Sequence, residues 1–288
     1  DVECSMFKRQ KRRELQIFMK TSVLIAVYNR PDMLKACLRA LALTGARFDE
    51  VVVSDDGSSE EFVRRMQAFF PEFSFPIRYV SQEDKGFRAA AARNNAIRKS
   101  EGDYLICLDC DILLLPGALD IHLRHARQGS FLAADRAFLN EASSRKAIEG
   151  PLDADLLEDL WQGADRNHLG RVQRQFERNR LLRKLGLTRR HKPKILGCHF
   201  SLFREDVERI NGFDEHYVGW GLEDDDFCMR LHQAGVRGKS IIPEARALHL
   251  RHESVDSRPR KFSESRNLSY FNRRNVPTYC VQGLVQGE

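Results

Sequence analysis

Nowhere in these 288 residues does an apolar run reach the roughly 18–20 residues needed to span a bilayer, so no membrane-crossing helix is expected. The basic opening KRQKRRELQIFMK lacks the apolar centre of a secretory leader, and the chain starts at Asp1 without a methionine, as a trimmed or tagged polypeptide would. The cysteines form no framework. There are seven, an odd and scattered set, and the single C-x-x-C (Cys107, Cys110) falls inside a run read as a strand. Residues three apart on a strand face opposite ways, which excludes a pair or a shared metal there and points to reduced thiols in a cytoplasmic protein. Internal repeats are also lacking.

What is present is ordinary in bulk: 42% hydrophobic and 31% charged residues exclude a disordered chain, and 288 residues suffice for the core of one large α/β domain or of one and a half domains. The net charge of +6 asks for an anionic partner, which leaves nucleic acid, a membrane surface or a phosphorylated ligand.

Up to about residue 120 the pattern alternates. TSVLIAVYN, DEVVVSDD, FPIRYVSQ and DYLICLDCD read as strands; DMLKACLRALALTG, EEFVRRMQAFF and GFRAAAARNNAIRKSEG read as helices. Near-continuous apolar strands between helices predict a mostly parallel sheet covered on both faces, with ligands beyond its carboxyl edge. Asn29, the pair Asp55 and Asp56, and the pair Asp109 and Asp111 all collect at that edge. From Ala134 to Lys194 the chain turns polar and helical, with eleven Lys or Arg against the single acid Glu177 between Arg166 and Lys194, and is read as an insertion. Leu169, Val172 and Phe176, followed by Leu181, Leu182 and Leu185, give that segment an amphipathic character suited to an anionic membrane surface or a phosphorylated acceptor. The region beyond Val255 is basic, notably Arg258 to Lys261.

Two carboxylates at Asp109 and Asp111 suit a hard cation such as Mn²⁺ or Mg²⁺ shared with phosphate oxygens, although D-x-D alone is an ordinary polar strand end. SDDGSS is, by itself, an Asp-Gly turn and helix cap, and Arg93 a solvated helix residue. VGWGLEDDDF says more. A helix dipole accounts for one or two acids in a first turn, not for four (Glu223 to Asp226) beside an exposed Trp220 between glycines. A ring and carboxylates together suit a sugar. His249 and His252 follow the strand-like SIIPEARALHL and return to the same edge.

LIAVYNRPDML, VVVSDDGSSEE, KGFRAAAARNNAI, YLICLDCDILLLPGAL and GFDEHYVGWGLEDDDFCMRLHQAG, in this order, resemble a family 2 glycosyltransferase of the GT-A fold. The second half also resembles the C-terminal region of β-1,4-galactosyltransferases and chondroitin-type polymerases, whose signature is GWGxED. The resemblance covers residues 21–135 and 195–253. It implies a basic segment 1–20, a nucleotide-sugar half 21–135, a helical basic insertion 136–194, an acceptor and catalytic half 195–254, and a basic tail 255–288. It implies an inverting, metal-dependent transfer from a nucleotide-diphosphate sugar, UDP-galactose or UDP-GalNAc before others, to a glycan or lipid-linked acceptor in polysaccharide or lipopolysaccharide synthesis. Asp224 is then the base and Glu223 a ligand of the acceptor hydroxyl. Asp55, Asp56, Arg93, Asp109, Tyr28 and Trp220 contact donor and sugars, and Asp111 leads the metal ligands, with Asp109. His252 matches a metal histidine; His249 stands where the galactosyltransferases carry methionine, which leaves open whether one histidine or both coordinate. The expected location is the cytoplasm, peripheral at the inner membrane face. A sugar-nucleotidyltransferase would open on a glycine-rich phosphate loop, and LIAVYNRPDM has no glycine. A nucleic-acid-binding module would find its phosphates repelled by the acidic edge, so no nucleic acid partner is expected.

Overall fold

The computed structural model describes residues 19–253 and 265–287. The basic opening before residue 19 and the Arg258–Lys261 cluster lie outside them. In chain order the elements are β1 (Thr21–Val27), α1 (Pro31–Ala42), β2 (Glu50–Asp55), α2 (Glu60–Phe69), β3 (Ile77–Ser81), α3 (Ala89–Lys99), β4 (Tyr104–Asp109), β5 (Ile112–Leu114), α4 (Ala118–His125), β6 (Ser130–Ala133), β7 (Ala137–Phe138), α5 (Glu141–Glu149), α6 (Ala154–Gly163), α7 (Leu169–Lys184), β8 (His199–Phe203), α8 (Arg204–Glu208), α9 (Glu223–Gln233), β9 (Arg237–Ser240), β10 (Ala247–His249) and α10 (Leu268–Phe271).

Seven strands form the main sheet in the order β3-β2-β1-β4-β8-β6-β9. Only β8 runs against its neighbours, β4 and β6; the other pairings are parallel. The expected mostly parallel sheet is thus present, and its strands are apolar on both faces for the expected reason. Val23, Ile25 and Val27 enter one core, with Leu34, Leu38 and Leu41 of α1; Leu24 and Val52 enter the other, with Ile97 of α3 and Phe227 of α9. Burying a Val, Leu or Ile side chain contributes about 1.5–3 kcal/mol, so a strand with two buried faces is held in register by both.

The run DYLICLDCDILLL is two strands rather than one. β4 ends at Asp109, the chain turns through Cys110 and Asp111, and β5 pairs antiparallel with β10 in a separate three-stranded sheet β5-β10-β7. The two aspartates therefore sit at the break between sheets. This also alters the geometry assumed for Cys107 and Cys110: only Cys107 lies on the strand, and both are buried free thiols. SIIPEARALHL is mostly not strand: only its first residue, Ser240, belongs to β9, which closes the main sheet, and Ala247–His249 form β10, which carries His249 to the small one.

A polar chain crosses the core where β8 is wedged in. His199 Nδ1 faces the Asp135 carbonyl at 3.3 Å, so this nitrogen carries the proton, and His199 Nε2 accepts from His122 Nε2–H at 2.8 Å. His122 Nδ1 then accepts from the Ser201 hydroxyl at 2.7 Å, whose oxygen accepts from Tyr104 at 2.7 Å. Both imidazoles are neutral. Burial pushes His122 well below its usual value and His199 down to about 4.

Residues 136–194 carry α5, α6 and α7. On α7 only Phe176 is buried; it presses toward Gly238 of β9, where a Cβ would come within 3.0 Å of its ring. Leu181, Leu185 and Leu187 are strongly exposed. No helix among the described residues is long and apolar enough to cross a membrane.

Candidate active site

The ends of β1, β2, β4 and β10 and the start of α9 build the site. At the end of β2, Asp55 is fully buried, and its carboxylate accepts from Ser58 N at 2.9 Å, Ser58 Oγ at 2.6 Å and Tyr79 OH at 2.6 Å. Ser58 and Tyr79 thus hold the Asp55 carboxylate in place with three bonds, two on Oδ1 and one on Oδ2. Gly57 closes the turn at φ 97°, where a Cβ would sit 2.5 Å from the Asp84 backbone. Asp56, which the turn presents, accepts from Arg88 N at 2.8 Å and from Gln82, and burial raises its carboxyl above the usual range. Tyr28 stands exposed at the end of β1 and donates to Asp84 at 2.9 Å.

At the break between β4 and β5, Asp111 is buried. His252 Nε2 lies 2.9 Å from its Oδ2, and His249 Nε2 lies 3.7 Å from its Oδ1. The pairing of β5 with β10 sets His249 opposite Ile112, and Leu250 N donates to the Asp111 carbonyl at 2.9 Å. The ligand atoms of Asp111, His249 and His252 all lie within 4.8 Å of one another. Burial would raise the Asp111 carboxyl, but the His252 hydrogen bond, His249 and Arg30 together hold it below the usual range; burial also lowers His249. Asp111 Oδ1 is buried with no hydrogen-bond partner. Oxygen and imidazole donors converging on an orphaned carboxylate oxygen fit a divalent cation. Asp109 is not in this cluster. Arg30, which the sequence reading did not single out, donates to Asp111 Oδ2 at 3.2 Å and lies 2.9 Å from His252 Nδ1.

Asp109 turns instead to Arg93. The buried guanidinium of Arg93 lies 3.3 Å from Asp109 Oδ1, 3.2 Å from Glu223 Oε1 and 3.5 Å from Asp224 Oδ1, over the Phe213 ring. It joins the D-x-D turn to the first turn of α9, a placement that neither a solvated helix residue nor a nucleotide contact anticipates. Burial lowers the Arg93 pKa, but the three carboxylates outweigh it and hold the side chain protonated. Glu223 goes up to about 7, through burial first and then the charge of Asp224, against Arg93. Asp224 Oδ2 accepts from Gly197 N at 2.8 Å. Glu223 Oε2 and Asp224 Oδ1 are buried without hydrogen-bond partners. Gly197 is the second residue missed: a Cβ there would lie 2.5 Å from Asp224 Oδ1 and 2.6 Å from Arg93 Nη2.

The four acids of α9 do not form one cluster. Asp225 bonds Lys194 at 2.7 Å, and Asp226, fully buried, bonds Arg230 at 2.6 Å and Tyr217 at 3.2 Å. Trp220 is half-buried rather than exposed. Its flanking glycines have φ of 80° and 92°, and residues after 264 brace the loop through Arg266 to Val218 O and Asn267 to Gly221 O.

Residues 22–209 match the model of glycosyl transferase family 2. The chain belongs to that family. Residues 182–253 match a second model, described as the N-terminal domain of galactosyltransferase. The chain is 31% identical over 242 residues to a validoxylamine A glucosyltransferase of Streptomyces hygroscopicus subsp. jinggangensis, covering 75% of this chain and 52% of that protein. It is 31% identical over 239 residues to the hyaluronan synthase of Pasteurella multocida (76% and 23% covered), and 26% identical over 248 residues to the chondroitin synthase of Escherichia coli (80% and 36%). This family 2 chain thus spans about half the length, or less, of these relatives. Among solved structures it is similar to S. aureus TarS 1-349 in complex with UDP-GlcNAc (TM-score 0.54, 16% identity, 83% and 60% covered). It is also similar to the mannosyltransferase PcManGT of Pyrobaculum calidifontis in complex with GDP-Man and Mn²⁺ (TM-score 0.53, 17% identity, 81% and 57%). The fold is the GT-A fold, as the order of motifs implied.

Proposed function

We propose that this chain transfers a sugar from a nucleotide-diphosphate donor to a hydroxyl of a glycan or lipid-linked acceptor, with inversion at the anomeric carbon. One observation carries the reading. Asp111, Glu223 and Asp224 each keep a buried oxygen without a hydrogen-bond partner, and Arg93 ties the turn beside the first to the helix start of the other two. Unsatisfied buried acceptors cost stability and are retained where a ligand satisfies them.

Asp111, His249 and His252 would hold Mn²⁺ or Mg²⁺, and a cation there supplies charge neutralisation for the departing diphosphate. Asp224 accepts the proton of the acceptor hydroxyl. The acceptor oxygen bonds to the anomeric carbon from the face opposite the diphosphate, and the anomeric carbon–oxygen bond to the diphosphate breaks with its electron pair. Glu223 orients the same hydroxyl, and Arg93 fixes both carboxylates. Asp56 and Tyr28 face the nucleotide. UDP-galactose or UDP-GalNAc is the favoured donor, supported by the galactosyltransferase match over residues 182–253; UDP-glucose and UDP-GlcNAc follow. Nucleotide release without acceptor ranks them.

The decisive measurement pairs UDP binding with turnover. Asp224→Asn keeps Mn²⁺-dependent UDP binding and loses transfer by about 10²–10⁴-fold, the usual worth of a general base. Asp111→Ala and EDTA abolish both. Near wild-type turnover by Asp224→Asn overturns the base, and full activity in EDTA overturns the cation.

A second reading concerns location. Leu181, Leu185 and Leu187 project beside Arg178, Arg180 and Lys184, and such a patch suits the anionic inner face of a membrane, with the chain peripheral in the cytoplasm. Liposome flotation is expected to require anionic lipid and to fade with salt. Equal flotation with neutral vesicles, or none at low salt, removes this reading.

A further inference from the structure

Between the segment that leaves α7 and the outer side of α9 lies a cavity of about 540 Å³. Its walls divide by chemistry. Leu222, Met229, Leu268 and Phe271 give it an apolar side, and Arg189, Arg190, Lys192 and Lys194 line it with cations. Lys194 is neutralised by Asp225 at 2.7 Å. His191 carries no charge at neutral pH, since burial brings it down to about 4. Arg189, Arg190 and Lys192 have no ion pair with any described residue, although Lys192 is half-buried. Burial, followed by the charge of Lys194, lowers the Lys192 ammonium, so an anion is what this wall lacks.

The position of the cavity is as informative as its charge. Leu222 and Asp225 of its wall belong to the start of α9, the turn that also carries Glu223 and Asp224, and Lys194 of its wall lies three residues before Gly197, whose N–H meets Asp224 at 2.8 Å, so the cavity lies at the same end of α9 as the two carboxylates assigned to the acceptor. An apolar face with one aromatic ring suits the face of a sugar, and unpaired cations suit an anionic substituent on it. We propose that this cavity holds the acceptor through a carboxylate or phosphate group, so that the acceptor is an anionic glycan rather than a neutral one. The inference rests on the transferase reading above for the word acceptor; the anion site itself stands on the cavity.

The test is direct binding to the full chain in the presence of UDP and Mn²⁺, followed by calorimetry or ligand-observed NMR. Three probes serve: a methyl hexuronide, a methyl hexoside 6-phosphate and the neutral methyl hexoside. At about 0.15 M salt, where loose surface attraction is screened, at least one anionic probe is expected to bind about tenfold or more tighter than the neutral sugar, the worth of one charge-assisted hydrogen bond. Which of the two binds distinguishes carboxylate from phosphate. Arg190→Gln and Lys192→Gln each reduce that preference severalfold while leaving UDP affinity and the thermal midpoint unchanged. Equal binding of all three probes, or a preference that survives in the Arg190→Gln/Lys192→Gln double variant, overturns the proposal. Failure of UDP to bind in the same samples counts against the transferase reading and leaves the anion site to be judged by the probes alone.

Discussion

Arg93 is where the two halves of the site meet, with carboxylate oxygens of Asp109, Glu223 and Asp224 at 3.3, 3.2 and 3.5 Å. Gly197 is the tightest constraint. Any side chain at residue 197 pushes on the Arg93 guanidinium and on Asp224 Oδ1, both of which lie under 3 Å from its Cβ position. Gly197→Ala is therefore expected to leave the fold and UDP binding in place and to lower turnover by about 10²-fold, the scale of an ångström's misplacement in a reacting group. A variant with wild-type turnover contradicts the positioning role. Nothing local to ILGCHF marks this glycine, because its constraint comes from side chains 104 and 27 residues away in sequence, Arg93 and Asp224. Arg30 was equally hidden: NRP reads as the end of a strand, and only the folded sheet edge brings it to Asp111 and His252. The aspartates and histidines were legible because they recur together in ordered motifs, DCD after an apolar strand and HLRH after SIIPEARAL, whereas a lone glycine or arginine belongs to no such pattern.

Helix α9 shows how one run of like residues divides by geometry. Successive side chains are 100° apart around a helix, so Glu223 and Asp224 face Arg93 and Gly197, Asp225 faces Lys194, and Asp226 points into the core toward Arg230 one turn on. Arg230 has no exposed surface and also donates to the carbonyls of Ile210 and Gly212. Removing one partner of such a pair leaves a charge buried without compensation. Asp226→Ala is expected to cost about 3–5 kcal/mol in urea unfolding, and a loss under about 1 kcal/mol would contradict the ion pair's structural role. The i,i+4 spacing of Asp226 and Arg230 was visible in the sequence; what it could not display is that this face of the helix is the buried one. The strands were read more fully than their breaks. Apolar runs located β1 to β4, but the turn at Cys110–Asp111 and the short β10 within SIIPEARALHL depend on a second sheet whose partners come from distant parts of the chain.

At the scale of the whole molecule, the buried imidazoles set a pH limit. His199 holds its folded value at about 4, below the 6.5 of a free histidine, so the unfolded chain takes up this proton first. Its stabilising contribution is complete above pH 6.5 and is lost as pH falls toward 4. Stability of the native chain should drop more steeply across that window than stability of His199→Gln, by up to one proton's worth of slope; parallel curves would show that the buried imidazole stays paired when charged. The strand that carries His199 has a further consequence, in the order of synthesis. Tyr104 on β4 and Ser201 on β8 meet across 97 residues of sequence. At roughly 5–20 residues per second, the β4 edge of a growing chain waits on the order of 5–20 s for its partner. During that interval Leu105–Ile106–Cys107–Leu108 is an apolar strand edge with open hydrogen-bonding groups, the kind that pairs with a neighbouring chain. A chain stopped before β8 keeps that edge, so the family 2 half that reads as a nucleotide-binding unit is, without residues 199–203, an aggregation-prone fragment.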